Sequence, residues 1–244
     1  MKKAIVIGAT SGIGKELAKI FSQNNYVVGL AGGRTELLSE LQKAIPTKTY
    51  IKTIDVTQTK EAMHLLEELI EEMGGVDLIV ISSGVGFINP ELNWEQEKET
   101  IDVNVSGFVA MANVAIKHFG KQGSGHLIGI SSIAAIRGNG DGPAYNASKA
   151  FVSNYLEGLR QKASKMRIPI TITDIQPGFV DTAMVNIAAM EKGQGIFWVA
   201  SPQKAALQIY EAIRNRRKHA YITRRWRIVG WALKVMPDFI YHKL

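Results

Sequence analysis

A serine, a tyrosine and a lysine are the residues of this sequence best placed to do chemistry. The stretch Ile130-Ser131-Ser132-Ile133-Ala134-Ala135 is followed by a glycine-rich bend (Gly138, Gly140, Gly142) and then by Pro143-Ala144-Tyr145-Asn146-Ala147-Ser148-Lys149-Ala150. Pro143 suits the first position of a helix, with Asp141 or Gly142 as its cap. On that helix Tyr145 and Lys149 stand at i and i+4 and emerge on one face. A phenol, with a free pKa of about 10, is a weak acid at neutral pH. A neighbouring ammonium favours the phenolate and pulls that value down. Closing a gap of roughly 3 units takes about 4 kcal/mol of differential stabilisation, which requires shelter from water. Ser132 then offers a hydroxyl that can hydrogen-bond a carbonyl while Tyr145 donates its proton. A Tyr and a Lys four apart also occur on ordinary helix surfaces, so the surrounding elements have to decide between the two readings.

The elements ahead of this helix form a phosphate-binding arrangement. Lys3 to Ile7 is a short apolar β run that leads into Gly8-Ala9-Thr10-Ser11-Gly12-Ile13-Gly14 and then an amphipathic helix through Leu17, Ala18, Ile20 and Phe21. The glycines let backbone amides approach a pyrophosphate, and the helix N-terminus adds partial positive charge. The spacing is G-x-x-x-G-x-G rather than G-x-G-x-x-G, and its weight comes from its place after the first strand. Tyr26 to Ala31 reads as a second strand. Pockets that prefer NAD end this strand in Asp or Glu, which binds the ribose 2′-hydroxyl. Here Gly32-Gly33-Arg34 follows with no acid, and an unopposed guanidinium suits a 2′-phosphate. NADP is therefore expected over NAD.

The remaining elements repeat the alternation. Leu37, Leu38 and Leu41 mark a helix, and Thr49 to Ile54 a third strand. That strand ends in Asp55-Val56, where a carboxylate can accept from an adenine amino group. A periodic helix follows over Lys60 to Met73, with Ala62, Leu65, Leu66, Leu69 and Ile70 inward. Val76 to Ile81 is a fourth, continuous apolar strand, closed by Ser82-Ser83-Gly84. A single helix is expected from Trp94 to about Phe119, carrying Asn104. An Asn inside an apolar helix is costly unless its amide is satisfied, so it is either a structural hydrogen-bonder or a water-holding group near the site. Leu127 to Ser131 is the fifth strand and delivers Ser132 at its carboxyl end, the edge where open parallel sheets bind ligands. Ile168 to Ile175 is the sixth, ending in Gln176-Pro177-Gly178-Phe179-Val180-Asp181-Thr182. Residues 183–200 suggest a mobile lid over the substrate. Ser201-Pro202 opens a further helix, and His219 to Ile222 a last strand. Apolar strands alternating with amphipathic helices indicate an α/β fold in three layers, doubly wound, with a central, mostly parallel sheet of about seven strands.

Composition narrows the functional classes. The chain has 244 residues, 46% of them hydrophobic, which suits one domain over residues 1–222. It contains no cysteine, which removes disulfides, thiolate metal sites and thiol catalysis. The five histidines (64, 118, 126, 219, 242) show no metal-ligand spacing, so no metal is expected. Net charge is +7, but from Arg214 onward stand Arg214, Arg216, Arg217, Lys218, Arg224, Arg225, Arg227, Lys234 and Lys243 with only Asp238 against them. The basic balance thus belongs to a tail and gives no expectation of nucleic-acid binding. No apolar run approaches about 18 residues, and the expected location is the cytoplasm. Residues 223–244 read as a basic amphipathic extension. The run from Arg224 to Met236 mixes basic and aromatic-aliphatic residues at helical spacing, which suits an anionic membrane surface. Packing on the chain's own body or on a partner subunit is the favoured expectation.

Together these residues resemble the short-chain dehydrogenase/reductase family over nearly the whole chain to about Ile222. Gly8, Gly12 and Gly14 match its T-G-x-x-x-G-x-G motif, with Ile7 in place of Thr. Tyr145-x-x-x-Lys149 matches its catalytic pair, Ser132 falls at its serine in preference to Ser131, and Asn104 matches its helix asparagine. Pro177-Gly178 with Val180 and Thr182 looks like the segment at the nicotinamide end. Its N-N-A-G stands here as Ile81-Ser82-Ser83-Gly84, without either asparagine, which puts that loop's geometry and cofactor affinity in question. The resemblance implies a single Rossmann-type domain and hydride transfer between a nicotinamide cofactor and a small-molecule carbonyl or alcohol. Ser132 would polarise the carbonyl, Tyr145 act as general acid, Lys149 depress the Tyr145 pKa and bind the ribose, and Asn104 hold a relay water. Thr10, Ser11, Ile13, Ser82, Ser83 and Gly84 join the cofactor contacts it implies. Homodimers or homotetramers are usual in the family, and the small Ala144, Ala147 and Ala150 would permit close helix packing between subunits. Phe87, Phe179, Met184, Ile187, Met190, Phe197 and Trp198 point to an apolar substrate. The alternative is a nucleotide-binding regulator on the same fold, without turnover.

Overall fold

Residues 1–182 and 198–241 are described by the computed structural model. Strands and helices alternate in the order β1 (Lys3–Ile7), α1 (Gly12–Gln23), β2 (Val27–Gly32), α2 (Thr35–Ala44), β3 (Thr49–Thr53), α3 (Thr59–Glu72), β4 (Leu78–Ile81) and α4 (Trp94–Ile101). A π-helical turn (Asp102–Gly107) then leads to α5 (Phe108–Gln122), β5 (Gly125–Ile130), α6 (Pro143–Met166) and β6 (Ile170–Pro177). After them come α7 (Pro202–Arg214), β7 (His219–Ile222), α8 (Trp226–Val235) and α9 (Asp238–Tyr241). The seven strands form one sheet in the order β3-β2-β1-β4-β5-β6-β7, and every pairing is parallel.

The sheet is apolar on both faces, which is why its strands read as continuous hydrophobic runs. Within β1, Ile5 and Ile7 join a core with Leu66, Leu69, Phe108, Phe119 and Leu156 of α3, α5 and α6. Ala4 and Val6 point the other way, into a core with Leu17, Phe21, Leu38 and Ile209 of α1, α2 and α7. Side chains of a strand alternate between faces, so covering both faces with helices demands apolar residues at every position. β1 has β2 on one side and β4 on the other (Ile7 aligns with Ala31 and with Ile81). The strand order therefore reverses at the carboxyl end of β1, the place where such sheets bind ligands.

Two boundaries moved for identifiable reasons. β6 runs over Ile170–Pro177 rather than Ile168 to Ile175. Pro169 has no N–H to give the ladder, while Gln176 and Pro177 gain Tyr221 and Ile222 of β7 as partners. The helix expected from Trp94 to Phe119 is broken at Asp102–Gly107 by π-helical geometry. One extra residue per turn there re-aims the side chains, a device that recurs at functional sites. Leu65 of α3 is half-buried, whereas its neighbours Ala62, Leu66, Leu69 and Ile70 are buried.

The tail folds back on the loop after β5. Trp226 is buried, and a Cβ on Gly178 would lie 2.1 Å from its ring. A Cβ on Gly230 would meet Tyr221, Ile136 and Ile133 at 2.8–3.1 Å, so α8 lies directly on the turn that follows Ser132. Arg137 donates from Nη1 to the Met236 carbonyl at 2.9 Å and from Nη2 to Asp238 at 2.6 Å. The Tyr241 hydroxyl donates to the Gly138 carbonyl at 2.5 Å. Packing on the chain's own body thus accounts for one face of the extension. Among the described residues no helix is long and apolar enough to cross a membrane.

Candidate active site

A cleft of about 600 Å³ opens at the carboxyl ends of the strands. Its floor is the turn between β1 and α1. Gly8 has φ +86°, a left-handed conformation that suits glycine, and a Cβ there would lie 2.6 Å from the Ser83 amide nitrogen. A Cβ on Gly14 would lie 2.2 Å from the Gly8 carbonyl oxygen. Gly14 thus does not line the cleft; it lets the turn close tightly beneath it. No side chain caps the start of α1, where Ser11 stands in extended conformation, so the first amides of the helix keep their donors for a ligand. A pyrophosphate fits this cradle, whose turn could not close with a side chain at Gly8, which would meet the Ser83 backbone, or at Gly14, which would meet Gly8.

Thr10, Ser11, Gly12 and Ile13 line the cleft with Gly8, and Arg34 borders it. The guanidinium of Arg34 bends back over the glycine turn: its Nη2 donates to Thr10 Oγ1 at 2.6 Å and to Ser11 Oγ at 3.0 Å. Gly32, Gly33 and Arg34 at the end of β2 bring no carboxylate to the cleft. Asp55 and Val56 line the next part of the wall, where Asp55 Oδ1 accepts from the Thr57 amide at 3.0 Å and hydroxyl at 2.8 Å. Ser82, Ser83 and Gly84 face the same space. Their backbone is held without the two asparagines: the Ser82 amide donates to the Ile7 carbonyl at 2.8 Å. Asn104 grips the next residue at both ends, accepting from the Val85 amide at 2.9 Å and donating to the Val85 carbonyl at 2.8 Å. The buried Ser83 hydroxyl has no hydrogen-bond partner among the described residues.

Ser132, Tyr145 and Lys149 converge at the other end of the cleft, with Pro177, Gly178, Val180 and Thr182 facing them. Pro143 opens α6 with Gly142 as its cap, as the sequence suggests, and this puts Tyr145 and Lys149 on the helix face toward β5. Ser132 caps a short 3₁₀ turn (Ile133–Ala135), its Oγ accepting from the Ala134 amide at 3.1 Å. Its hydroxyl also hydrogen-bonds Tyr145. Lys149 is buried; its Nζ donates to the Ile130 carbonyl at 3.2 Å and stands 5.7 Å from the Tyr145 ring centroid. Burial lowers Lys149 to about 8, against the pull of the Asp174 charge.

Tyr145 lines the cleft. Part of its ring meets the cleft, yet the protein around it raises the phenol above its ordinary value through burial, and the Ser132 hydrogen bond opposes this only in part. The Lys149 ammonium beside it is itself buried and bonded to the Ile130 carbonyl.

Asn104 sits in the π-helical turn, buried, and also donates to Ser148 Oγ at 3.0 Å. Its amide is satisfied by the loop after β4 and by α6, so the structural role foreseen for it is filled by these contacts. Ser131 points away from the chemistry, donating to Asp174 Oδ1 at 2.5 Å and to the Ile175 carbonyl at 3.0 Å. Asp174 is the residue that sequence reading missed. It is fully buried in β6 and also accepts from Gln176 Nε2 at 3.0 Å, with His219 Nδ1 3.4 Å from Oδ2. Burial opposes its charge, but the bonds from His219, Ser131 and Ser153 outweigh it and hold the carboxyl below its usual range. The one signal was an acid inside an apolar strand. Also unforeseen in the lining are Val85, Gly86, Glu99 and Val103, beside the expected Phe87. Phe179 and Trp198 pack edge-on against Trp226; Met184, Ile187, Met190 and Phe197, with most of the expected lid, lie outside the described residues. No cluster of potential metal ligands occurs among the described residues.

The chain is similar to known proteins. The family model for short chain dehydrogenases matches residues 2–193. An uncharacterized oxidoreductase of Myxococcus xanthus is 34% identical over 188 residues, covering 75% of this chain and 74% of its own. One from Mycobacterium tuberculosis is 31% identical over 197 residues, covering 77% of each. Among solved structures, the closed form of serine dehydrogenase complexed with NADP+ superposes with a TM-score of 0.80 at 25% identity, over 90% of this chain and 94% of that one. A short chain dehydrogenase/reductase from Burkholderia phymatum in complex with NAD gives a TM-score of 0.84 at 20% identity, over 94% and 92%. The alternating fold, the glycine turn and the matching family model place this chain in the short-chain dehydrogenase family of oxidoreductases.

Proposed function

We propose that the protein transfers hydride between NADP(H) and a small carbonyl compound or the matching secondary alcohol, with Tyr145 as proton donor and acceptor. One observation carries this reading: the glycine turn with Arg34 at one end and Ser132, Tyr145 and Lys149 at the other open onto the same cleft. Arg34, pinned over the turn by Thr10 and Ser11, is placed to meet a 2′-phosphate, and charge-assisted bonds of this kind are strong. The amides of the turn and of the α1 N-terminus would hold the pyrophosphate. Asp55 keeps Oδ2 for an adenine amino group, and Pro177, Gly178, Val180 and Thr182 would border the nicotinamide. Proteins of similar structure carry NADP+ or NAD, which supports a nicotinamide cofactor; the preference for NADP rests on Arg34.

The nicotinamide, when bound, supplies or accepts the hydride. The chain's residues supply the proton and the orientation. Ser132 donates a hydrogen bond to the carbonyl oxygen and holds it beside Tyr145. Tyr145, whose phenol burial raises above its ordinary value, would give its proton to that oxygen as negative charge develops there. Lys149, charged below about pH 8, would bond the ribose and stabilise the phenolate left behind. Phe87, in the lining of the cleft, favours an apolar substrate. Pairing of subunits through α6 would follow the family pattern. Nothing in the site favours a regulator without turnover, because all three reacting groups face the cleft.

NADPH-linked reduction of a panel of aryl and alkyl ketones and aldehydes tests this, with wild type and Tyr145→Phe compared. Loss of the proton donor should lower turnover by about 10²–10⁴-fold while NADPH binding is kept. Equal turnover by Tyr145→Phe would sink the assignment. NADPH binding with no carbonyl reduced by wild type would favour the regulator.

A further inference from the structure

The C-terminal helix has a second face. Inward, α8 uses Trp226 and Gly230. Outward, Ile228, Trp231 and Val235 are 72%, 67% and 58% exposed, and Phe239 follows at 70%. At about 100° per residue, Ile228, Trp231 and Val235 fall within about 60° of one another on the outward side. Arg227 and Lys234 share one border of that stripe, and both are exposed. Arg225 stands at its other border, over the Trp198 ring at 5.0 Å. Of the two acids nearby, Glu211 pairs with Arg224 and Asp238 with Arg137. No acidic residue occurs in α8 itself.

We propose that this outward face docks on an anionic lipid bilayer, with α8 lying in the plane of the surface. An apolar stripe edged by Lys and Arg is the arrangement that such a surface accepts: aromatic and aliphatic groups enter the acyl boundary while the cations reach lipid phosphates. The charge distribution argues for this occupant over a second copy of the chain. An isologous contact would set the same cations face to face, in a segment with nine Lys and Arg after Ile213 against Asp238 alone. The chain's own body is already seated on the opposite face. Since α8 rests on Ile133, Ile136 and Gly178, the docked helix would separate the cleft wall from the lipid by its own width. The proposal stands independently of the reaction.

Co-sedimentation of the full-length protein with vesicles decides it. Vesicles of phosphatidylglycerol and phosphatidylethanolamine should carry the protein down, pure phosphatidylcholine should not, and high salt should release it. Each cation near an anionic leaflet contributes about fivefold, so Arg227→Gln with Lys234→Gln should weaken partitioning by about 25-fold. Ile228→Ser with Trp231→Ser should abolish it, with the unfolding temperature and molecular mass unchanged. No binding by wild type, equal binding to both vesicle types, or binding unaffected by the serine pair overturns the proposal. A serine pair that lowers the oligomeric mass, with no vesicle binding by wild type, would assign the face to a second copy instead.

Discussion

Replacing Asp174 by asparagine removes a charge beneath the site while preserving its shape. The carboxylate accepts from Ser131 Oγ at 2.5 Å and from Gln176 Nε2 at 3.0 Å. Asparagine keeps the first acceptor. It turns the second into a donor, which Gln176 can meet by flipping its amide, because the Ser153 hydroxyl 3.2 Å away can donate as well as accept. Both bonds then survive as neutral ones. A bond to a charged group contributes about 1.5–3 kcal/mol and a neutral bond about 0.5–1.5, so this pair loses about 2–3 kcal/mol, and the bonds from His219 and Ser153 to the same carboxylate add to that loss. For a chain of this size each kcal/mol is worth about 2–4 °C, and the melting temperature should fall by about 5–10 °C. A second effect concerns the reaction. Burial holds Lys149 at about 8, and the Asp174 charge is what opposes it. Without that charge Lys149 discharges at lower pH, so the alkaline fall of kcat/KM for carbonyl reduction should move below its wild-type position near pH 8. Thermal melts and pH profiles of the NADPH-linked reduction read both effects. An alkaline limb that stays in place while the melting temperature drops would refute the coupling and leave Asp174 with the fold alone. An unchanged melting temperature would refute the bonding account.

Other consequences are equally measurable. Gly14→Ala places a methyl 2.2 Å from the Gly8 carbonyl; it should destabilise by about 1–3 kcal/mol and abolish dinucleotide binding in a fluorescence titration. Gly33→Ala, with nothing within 4 Å of its Cβ, should change stability by less than about 0.5 kcal/mol. His126 is buried in β5, donating to Thr173 Oγ1 at 2.8 Å while that hydroxyl donates to the Arg217 carbonyl at 2.6 Å. Burial, with Arg216 nearby, lowers it from 6.5 to about 4. An imidazole kept neutral in the fold and free to charge in the unfolded chain stabilises fully above pH 6.5, and this is lost as pH falls toward 4. The loss should reach about 3 kcal/mol, seen as the difference in urea-unfolding pH slopes between wild type and His126→Gln; parallel slopes would contradict it.

The parts legible in the sequence are those with local causes. Strands covered on both faces must be apolar throughout, so β1, β4 and β5 show as runs, and helix spacing alone puts Tyr145 and Lys149 together. The turn from Gly8 to Gly14 reads from its place after β1. What escaped depends on partners remote in the chain. Asp174 meets Ser131 across 43 residues, through the register of β5 with β6. The π-helical turn leaves the apolar periodicity of Trp94 to Phe119 almost intact, and the bonds that Asn104 makes from it reach Val85, 19 residues away. The Tyr145 pKa depends on everything packed around the ring, which an i, i+4 pair cannot report. The tail was legible as amphipathic, but which face stayed outward was decided by Gly178 and Gly230, the positions small enough to admit Trp226 and Tyr221.

The central claim is that this cleft takes NADP(H) through Arg34, and titration of protein fluorescence with NADPH and NADH, on wild type and Arg34→Ala, tests it most directly. Arg34 is exposed, so its bond to a 2′-phosphate is screened, and the low end of the range for charged bonds, about 1.5–2 kcal/mol, applies. Wild type should bind NADPH more tightly than NADH, and Arg34→Ala should weaken NADPH by about 10–30-fold with NADH unchanged. Equal affinities for the two cofactors in wild type, or a loss on Arg34→Ala that is the same for both, would contradict the account.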